Sequence, residues 1–169
     1  MAPSFIERLV ARKTIEVQRA LTARSPLFPA AGARIRALAG ELPIAIASGA
    51  LRAEIEQVLD REGLMRCFVA IVAAGETPRS KPHPDPYEQA VERLSRATGR
   101  PIRPARVVAV EDTRQGLASA RAAGLRTIAV TTTHPASAVA DADYVTADIS
   151  GVTIEVLRRV VGDAGRDGA

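Results

Sequence analysis

Four short apolar runs, each closed by polar residues or glycine and separated by stretches of helical spacing, constrain this chain more than any other feature. The runs are LPIAIAS (42–48), CFVAIVAAG (67–75), RVVAVEDT (106–113) and RTIAVTT (126–132). Continuous apolar segments of this length, bounded by loop residues, read as buried strands. Before and between them lie helical segments of about 30–39, 50–62, 86–98 and 114–123, followed by Gly40, Gly63, Gly99 and Gly124. Glycine is the residue that most often ends a helix. The third helix shows the spacing clearly, with Tyr87, Ala90, Val91 and Leu94 at i, i+3, i+4 and i+7. A short strand at 143–146 and a last helix over about 152–161 complete the pattern. Strands alternating with helices predict an α/β fold, a three-layer sandwich around a mainly parallel sheet.

Such sheets bind ligands beyond the carboxyl ends of their strands. Three of the four runs end in chemically useful residues: Ser48, the pair Glu111-Asp112, and Thr131-Thr132. The stretch 77–87, TPRSKPHPDPY, holds four prolines in eleven residues and is a stiff loop carrying Lys81. A hydroxyl followed by a glycine N–H can donate to phosphate oxygens. A lysine held in a stiff loop can neutralise a phosphate or a carboxylate. Two adjacent carboxylates at a strand end offer hard oxygens to Mg2+. Each feature alone also has a plain structural reading: a turn at Ser48-Gly49, a solvated Lys81, and acids that favour the next helix terminus.

Composition narrows the partners. With 47% apolar and 25% charged residues, the 169-residue chain has the balance of a globular domain. Aromatics are only 3%, so Ala, Val, Ile and Leu must build the core. The net charge is +4, and it is almost all arginine, since Lys13 and Lys81 are the only lysines. The arginines are scattered rather than clustered, and few aromatics interleave with them, which argues against nucleic-acid binding. No apolar run is long enough for a membrane span. Cys67, the single cysteine, allows no internal disulfide and suits a cytoplasmic protein. His83, between two prolines, His134, after the fourth strand, and Cys67, at a strand start, read as loop, rim and core residues without a chemical role.

IAIASGA, SKPHPDPYEQA and VVAVEDTRQGLASARAAGLRTIAVTT, in this order, resemble motifs two to four of the haloacid dehalogenase-like (HAD) hydrolases. The resemblance is to the branch of β-phosphoglucomutase-like and phosphoglycolate-phosphatase-like enzymes, and it covers nearly the whole chain. It implies a Rossmann-like core and Mg2+-dependent phosphoryl transfer from a small phosphorylated metabolite to an aspartate, then to water. Carried onto these motifs, Ser48 binds phosphate with help from the Gly49 N–H. Lys81 bridges phosphate and nucleophile. Asp112, and less directly Glu111, serve Mg2+. Thr113 caps the following helix.

The family's first motif, an apolar strand followed by DxDx(T/V), does not occur ahead of Ser48. Asp141-Ala142-Asp143-Tyr144-Val145 matches the pattern locally, but its context is that of the family's last short strand, so neither aspartate is expected to be catalytic. In the family the first-motif strand is central to the sheet. The resemblance therefore implies a core missing that strand and most of its helical cap. Residues 1–24 read as a cap remnant, 25–162 as the core and 163–169 as a frayed tail. Two accounts follow: a truncated phosphohydrolase without its nucleophile, or an inactive homologue that binds phosphate or a partner. Self-association or a missing N-terminal segment would each supply the strand. No nucleic acid or membrane partner is expected.

Overall fold

The computed structural model describes residues 27–28 and 30–162. The cap remnant expected over 1–24 and the tail at 163–169 lie outside them. The described elements run α1 (Ala31–Ala39), β1 (Ile44–Ala47), α2 (Arg52–Arg61), β2 (Phe68–Val72), α3 (Asp85–Thr98), β3 (Val108–Glu111), α4 (Arg114–Ala122), β4 (Arg126–Val130), β5 (Tyr144–Thr146) and α5 (Ile154–Gly162). Every expected element in this range is present. The strands are shorter than the apolar runs, most plainly the second. There Met65–Cys67 form a single 3-10 turn and residues 73–75 leave the ladder. Cys67 accordingly ends a turn rather than starting a strand.

All the pairing is parallel, but it falls into two sheets: β1 with β2, and β3–β4–β5 in that order. Side-chain alternation sorts the strands' faces. Ala47 and Ala109 point to one side, into a cluster with Tyr87 and Val91 of α3 and Ala120 and Ala123 at the α4 end. On the same side Ala129 meets Leu117 of α4. The intervening residues point the other way. Ile46 packs against Ile55 and Leu59 of α2. Val108, Val110 and Ile128 pack against Leu38 of α1 and Val156, Leu157 and Val160 of α5. Alanines on one face let α3 and α4 approach closely. Larger side chains fill the opposite layer, and the three-layer sandwich follows.

Glycines end the helices as expected, with one difference. Gly63, Gly99 and Gly124 all have positive φ, where other residues are strained. Gly40 does not: it keeps right-handed helical geometry at φ −70°. Its place after the helix therefore rests on no left-handed requirement.

Candidate active site

Ser48 follows β1, and its N–H donates to the Val72 carbonyl at 2.9 Å, extending the β1–β2 ladder by one bond. Its hydroxyl accepts from the Ala50 N–H at 3.1 Å, which fixes a tight turn into α2. No atom lies within 4 Å of where a side chain at Gly49 would begin, so the backbone there faces open space.

Lys81 ties the two sheets together. Its Nζ donates to the Ala47 carbonyl at 2.9 Å, at the carboxyl end of β1, and forms a short ion pair with Glu111 Oε1, at the carboxyl end of β3. The Lys81 side chain is 19% exposed and that of Glu111 only 9%, so the pair is largely shielded from water. The Tyr87 hydroxyl donates to the same carboxylate oxygen, and Lys81 Nζ lies 4.8 Å from the Tyr87 ring centroid. Burial, reinforced by the Glu111 carboxylate, raises the Tyr87 phenol well above its ordinary range, so it stays a donor. Thr113 Oγ1 reaches the other Glu111 oxygen at 3.4 Å.

Four of the predicted residues thus gather at the carboxyl ends of β1 and β3, as Ser48 adjoins Ala47 and Asp112 adjoins Glu111. The two carboxylates divide their work. Glu111 turns inward and is held by Lys81, Tyr87 and Thr113. Asp112 stays at the rim, where the Thr133 hydroxyl donates to its Oδ2 at 2.5 Å. Among the described residues no group of three His, Cys, Asp or Glu converges as a ready-made metal cage. A single outward carboxylate beside hydroxyls nevertheless suits Mg2+, which keeps several waters and takes substrate oxygens as ligands. Asp112 is the residue present that fits such an ion. Glu111 is instead engaged by Lys81, Tyr87 and Thr113.

Thr113 caps α4, its Oγ1 accepting from the Gly116 N–H at 3.1 Å. Asp143 lies at the opposite end of the sheet. Its Oδ2 accepts from the Thr127 N–H at 2.7 Å and the Thr127 hydroxyl at 2.9 Å, and its Oδ1 from Arg126 at 3.1 Å. Burial works to raise this carboxyl, and those donors outweigh it, so it titrates below its ordinary value. Asp141 pairs with Arg121 on the surface. His83 offers its carbonyl to the Ser119 hydroxyl at 2.5 Å.

Three contributors escaped the sequence reading. Tyr87 was read as an apolar helix position and as part of the SKPHPDPYEQA motif, with no role of its own, although it stands six residues after Lys81 on the same proline-rich element. Thr133 had no motif to mark it. Gly116 packs so tightly that a Cβ there would stand 2.1 Å from the Glu111 carboxylate, a fact of tertiary packing.

Comparison with known proteins agrees with this arrangement. The chain is 40% identical over 119 residues to the plasmid-borne protein CbbY of Cupriavidus necator, covering 66% of this chain and 43% of that one. It is 34% identical over 117 residues to the bifunctional riboflavin kinase/FMN phosphatase of Arabidopsis thaliana, covering 62% and 29%. The chain therefore spans less than half the length of either relative. Among solved structures, a β-phosphoglucomutase from Clostridium difficile superposes with a TM-score of 0.77 at 18% identity, over 95% of this chain and 70% of that one, which shows the shared fold. The family model for haloacid dehalogenase-like hydrolase matches residues 3–124. With well over half its length matched, and its strand-end residues gathered as described, the chain belongs to the haloacid dehalogenase-like hydrolases.

Proposed function

We propose that this chain carries the phosphate-binding and Mg2+-binding part of a phosphohydrolase site that acts on a small phosphorylated metabolite. The observation that carries this reading is Lys81, whose ammonium joins the end of β1 to the end of β3. It draws the Ser48-Gly49 turn toward Asp112. The Ser48 hydroxyl and the open backbone at Gly49 are available to donate to phosphate oxygens, and Lys81 offsets their charge. Asp112 is the residue that would hold Mg2+, and the ion would supply charge neutralisation on the phosphoryl oxygens. Thr133 restrains Asp112, and Glu111 restrains Lys81.

In family chemistry a carboxylate oxygen attacks phosphorus, the ester oxygen leaves with a proton, and water then releases phosphate from the acyl phosphate. No described residue stands in the nucleophile's place. The 169-residue chain assayed alone is therefore expected to bind ligands but turn over phosphomonoesters poorly. Titration of the chain with Mn2+ as a paramagnetic probe, and with inorganic phosphate by calorimetry, tests the binding. Asp112→Ala should abolish metal binding and Ser48→Ala should weaken phosphate binding. Unchanged binding in both variants would remove the proposal. A homologue that binds phosphate without turnover is the alternative. Recovery of Mg2+-dependent turnover by a chain extended with an apolar strand and DxDx(T/V) would decide against it.

A further inference from the structure

A groove of about 270 Å3 runs along α4, outside the set of residues assigned to phosphate and Mg2+. Arg114, Ala118 and Arg121 of α4 follow its length, Pro82 stands on one side, and Ala138 and Val139 stand on the other. We propose that this groove binds a small organic carboxylate with one charge and a short apolar chain, its carboxylate at Arg114 and its chain over Ala118.

The sequence builds the groove's long axis. In RQGLASAR (114–121) the two arginines flank Ala118 at i, i+4 and i+7, one face of a helix. A small residue between two long ones leaves a trough with apolar ground and cationic ends. Ala118 and Ala138 are both partly exposed in it. Beneath them Leu117 and Val139, only 2% and 1% exposed, pack on Ala129 and close the floor to water.

Both sides are held in place. Pro82 follows Lys81, which is anchored to Ala47 and Glu111, and the next residue, His83, gives its carbonyl to the Ser119 hydroxyl of α4 at 2.5 Å. The opposite side is the 3-10 turn Ala136–Ala138, in which the Ala138 N–H donates to Pro135 at 2.9 Å and the Val139 N–H to Ala136 at 3.1 Å. Walls formed in advance spare a ligand the cost of ordering loops.

Charge sets the polarity and the valence of the ligand. Two arginines face one acid, Asp141. Arg121 donates to the Asp141 carbonyl at 3.0 Å and to its carboxylate at 3.3 Å, so that end is neutralised from within. Arg114 is exposed and has no hydrogen bond or ion pair among the described residues. A planar guanidinium matches a carboxylate with two parallel hydrogen bonds. The neighbouring Gln115 amide, also lining the groove, offers a further donor. A second anionic group on the ligand would meet Asp141, and a neutral ligand would leave Arg114 unmatched. The volume lies just under the ~300 Å3 at which ligand pockets begin, which suits a short chain.

Hexanoate is the probe, and because no phosphate is present its binding can succeed or fail independently of the phosphohydrolase reading. Titration of the 169-residue chain, followed by amide and methyl NMR signals, should show saturable shifts at Arg114, Leu117 and Val139. Hexanol, the same chain without the charge, should bind about tenfold more weakly, and the dicarboxylate glutarate severalfold more weakly. Arg114→Gln should weaken hexanoate about tenfold. Ala118→Leu should do the same, because it fills the trough without changing charge or, to any extent, helix propensity. Arg103→Gln, at an exposed arginine outside the groove, should leave the affinity unchanged. Thermal midpoints of the three variants should stay near that of the parent, since Arg114 and Arg103 are exposed and Ala118 faces the groove. Equal affinity for hexanoate and hexanol would overturn the proposal. So would glutarate binding as tightly as hexanoate, full binding by Arg114→Gln or by Ala118→Leu, an equal loss in Arg103→Gln, or shifts confined to Ser48 and Gly49.

Discussion

The two-stranded and three-stranded sheets are built from similar apolar segments, yet they are held in different ways. In the three-stranded sheet, β4 lies between two partners, and Ile128 and Ala129 are completely buried. In the two-stranded sheet all four residues of β1 remain partly exposed, and Val69 of β2 is 48% exposed. The pairing of β1 with β2 also slips in register between Ile44 and Ala45. The difference teaches what a strand does where no described strand pairs with it. Carbonyls there are taken by long cationic side chains: Lys81 at Ala47 of β1, Arg52 and Arg93 at Ile71 of β2. The three-stranded half is held by its ladder and core, and the two-stranded half leans on ions.

Removing an ionic tie should therefore expose the contrast most strongly. Lys81→Ala leaves the Glu111 carboxylate buried with only hydroxyl partners. Breaking a buried pair from one side costs about 3–5 kcal/mol. Denaturant unfolding should show this loss. The double variant Lys81→Met/Glu111→Gln should recover much of it, because no unpaired charge remains. A single-variant loss below about 1 kcal/mol, the range of an exposed pair, would erase the distinction between the halves.

Gly116→Ala probes the same carboxylate from the three-stranded side. The added Cβ would meet Glu111 at 2.1 Å, and that group is pinned by Lys81 and Tyr87, so it cannot swing away freely. Overpacking of this kind costs about 1–3 kcal/mol. Thermal unfolding measures the loss, and weaker metal binding should accompany it if Glu111 supports its neighbour Asp112. A neutral substitution would mean that Glu111 has room the packing denies.

How much of this was legible beforehand follows the same division. The strands and helices were readable because each is a local pattern of apolar spacing closed by glycine or proline. The places of Ser48, Glu111 and Asp112 were readable because each sits in a short motif at a strand end, and that of Lys81 because it sits in a proline-stiffened loop. The contrasting roles of Glu111 and Asp112 were not readable, because adjacent residues on a strand differ only in which face they meet. Nor were Tyr87 and Thr133, whose partners lie 24 and 21 residues away across loops. That β1 and β3 stand unpaired with each other, walled by helices on both faces, depended on packing alone.

Asp143→Asn tests how firmly the three-stranded half closes at its far end. The carboxylate receives bonds from the Thr127 N–H, the Thr127 hydroxyl and Arg126, which ties β5 to the start of β4. Hydrogen bonds to a charged group are worth about 1.5–3 kcal/mol each at most, and the partly exposed Arg126 contact adds less. A total loss of about 2 kcal/mol is expected in denaturant. The pH dependence has a definite sign. The folded carboxyl titrates below its unfolded value of about 3.9, so its contribution is present above that pH and is lost as pH falls through the folded value. Asp143→Asn should therefore flatten the decline of stability below about pH 4. An unaltered acid limb would show that this carboxylate is not held as described.

The smallest effects should come from the two helix starts that face the site, and they sharpen the comparison. α4, on the three-stranded side, begins with Thr113, whose hydroxyl caps the Gly116 N–H. α2, on the two-stranded side, begins after Leu51, which has no oxygen to offer; Glu54 instead reaches back to the Leu51 N–H at 2.9 Å. Thr113→Ala should cost about 1 kcal/mol, the ordinary worth of such a cap. Leu51→Ser should do the reverse. Leu51 is 46% exposed, so little burial is lost, and a serine there adds the missing acceptor. A gain of about 0.5–1 kcal/mol in denaturant unfolding is expected. If the α2 start is left uncapped because its N–H groups serve the anion at Ser48-Gly49, the same serine will compete with phosphate. Phosphate titration of Leu51→Ser should then show weaker binding in the stabler protein. A variant that gains stability with phosphate affinity intact would separate the helix start from the anion site and leave Ser48, Gly49 and Lys81 to hold the phosphate alone.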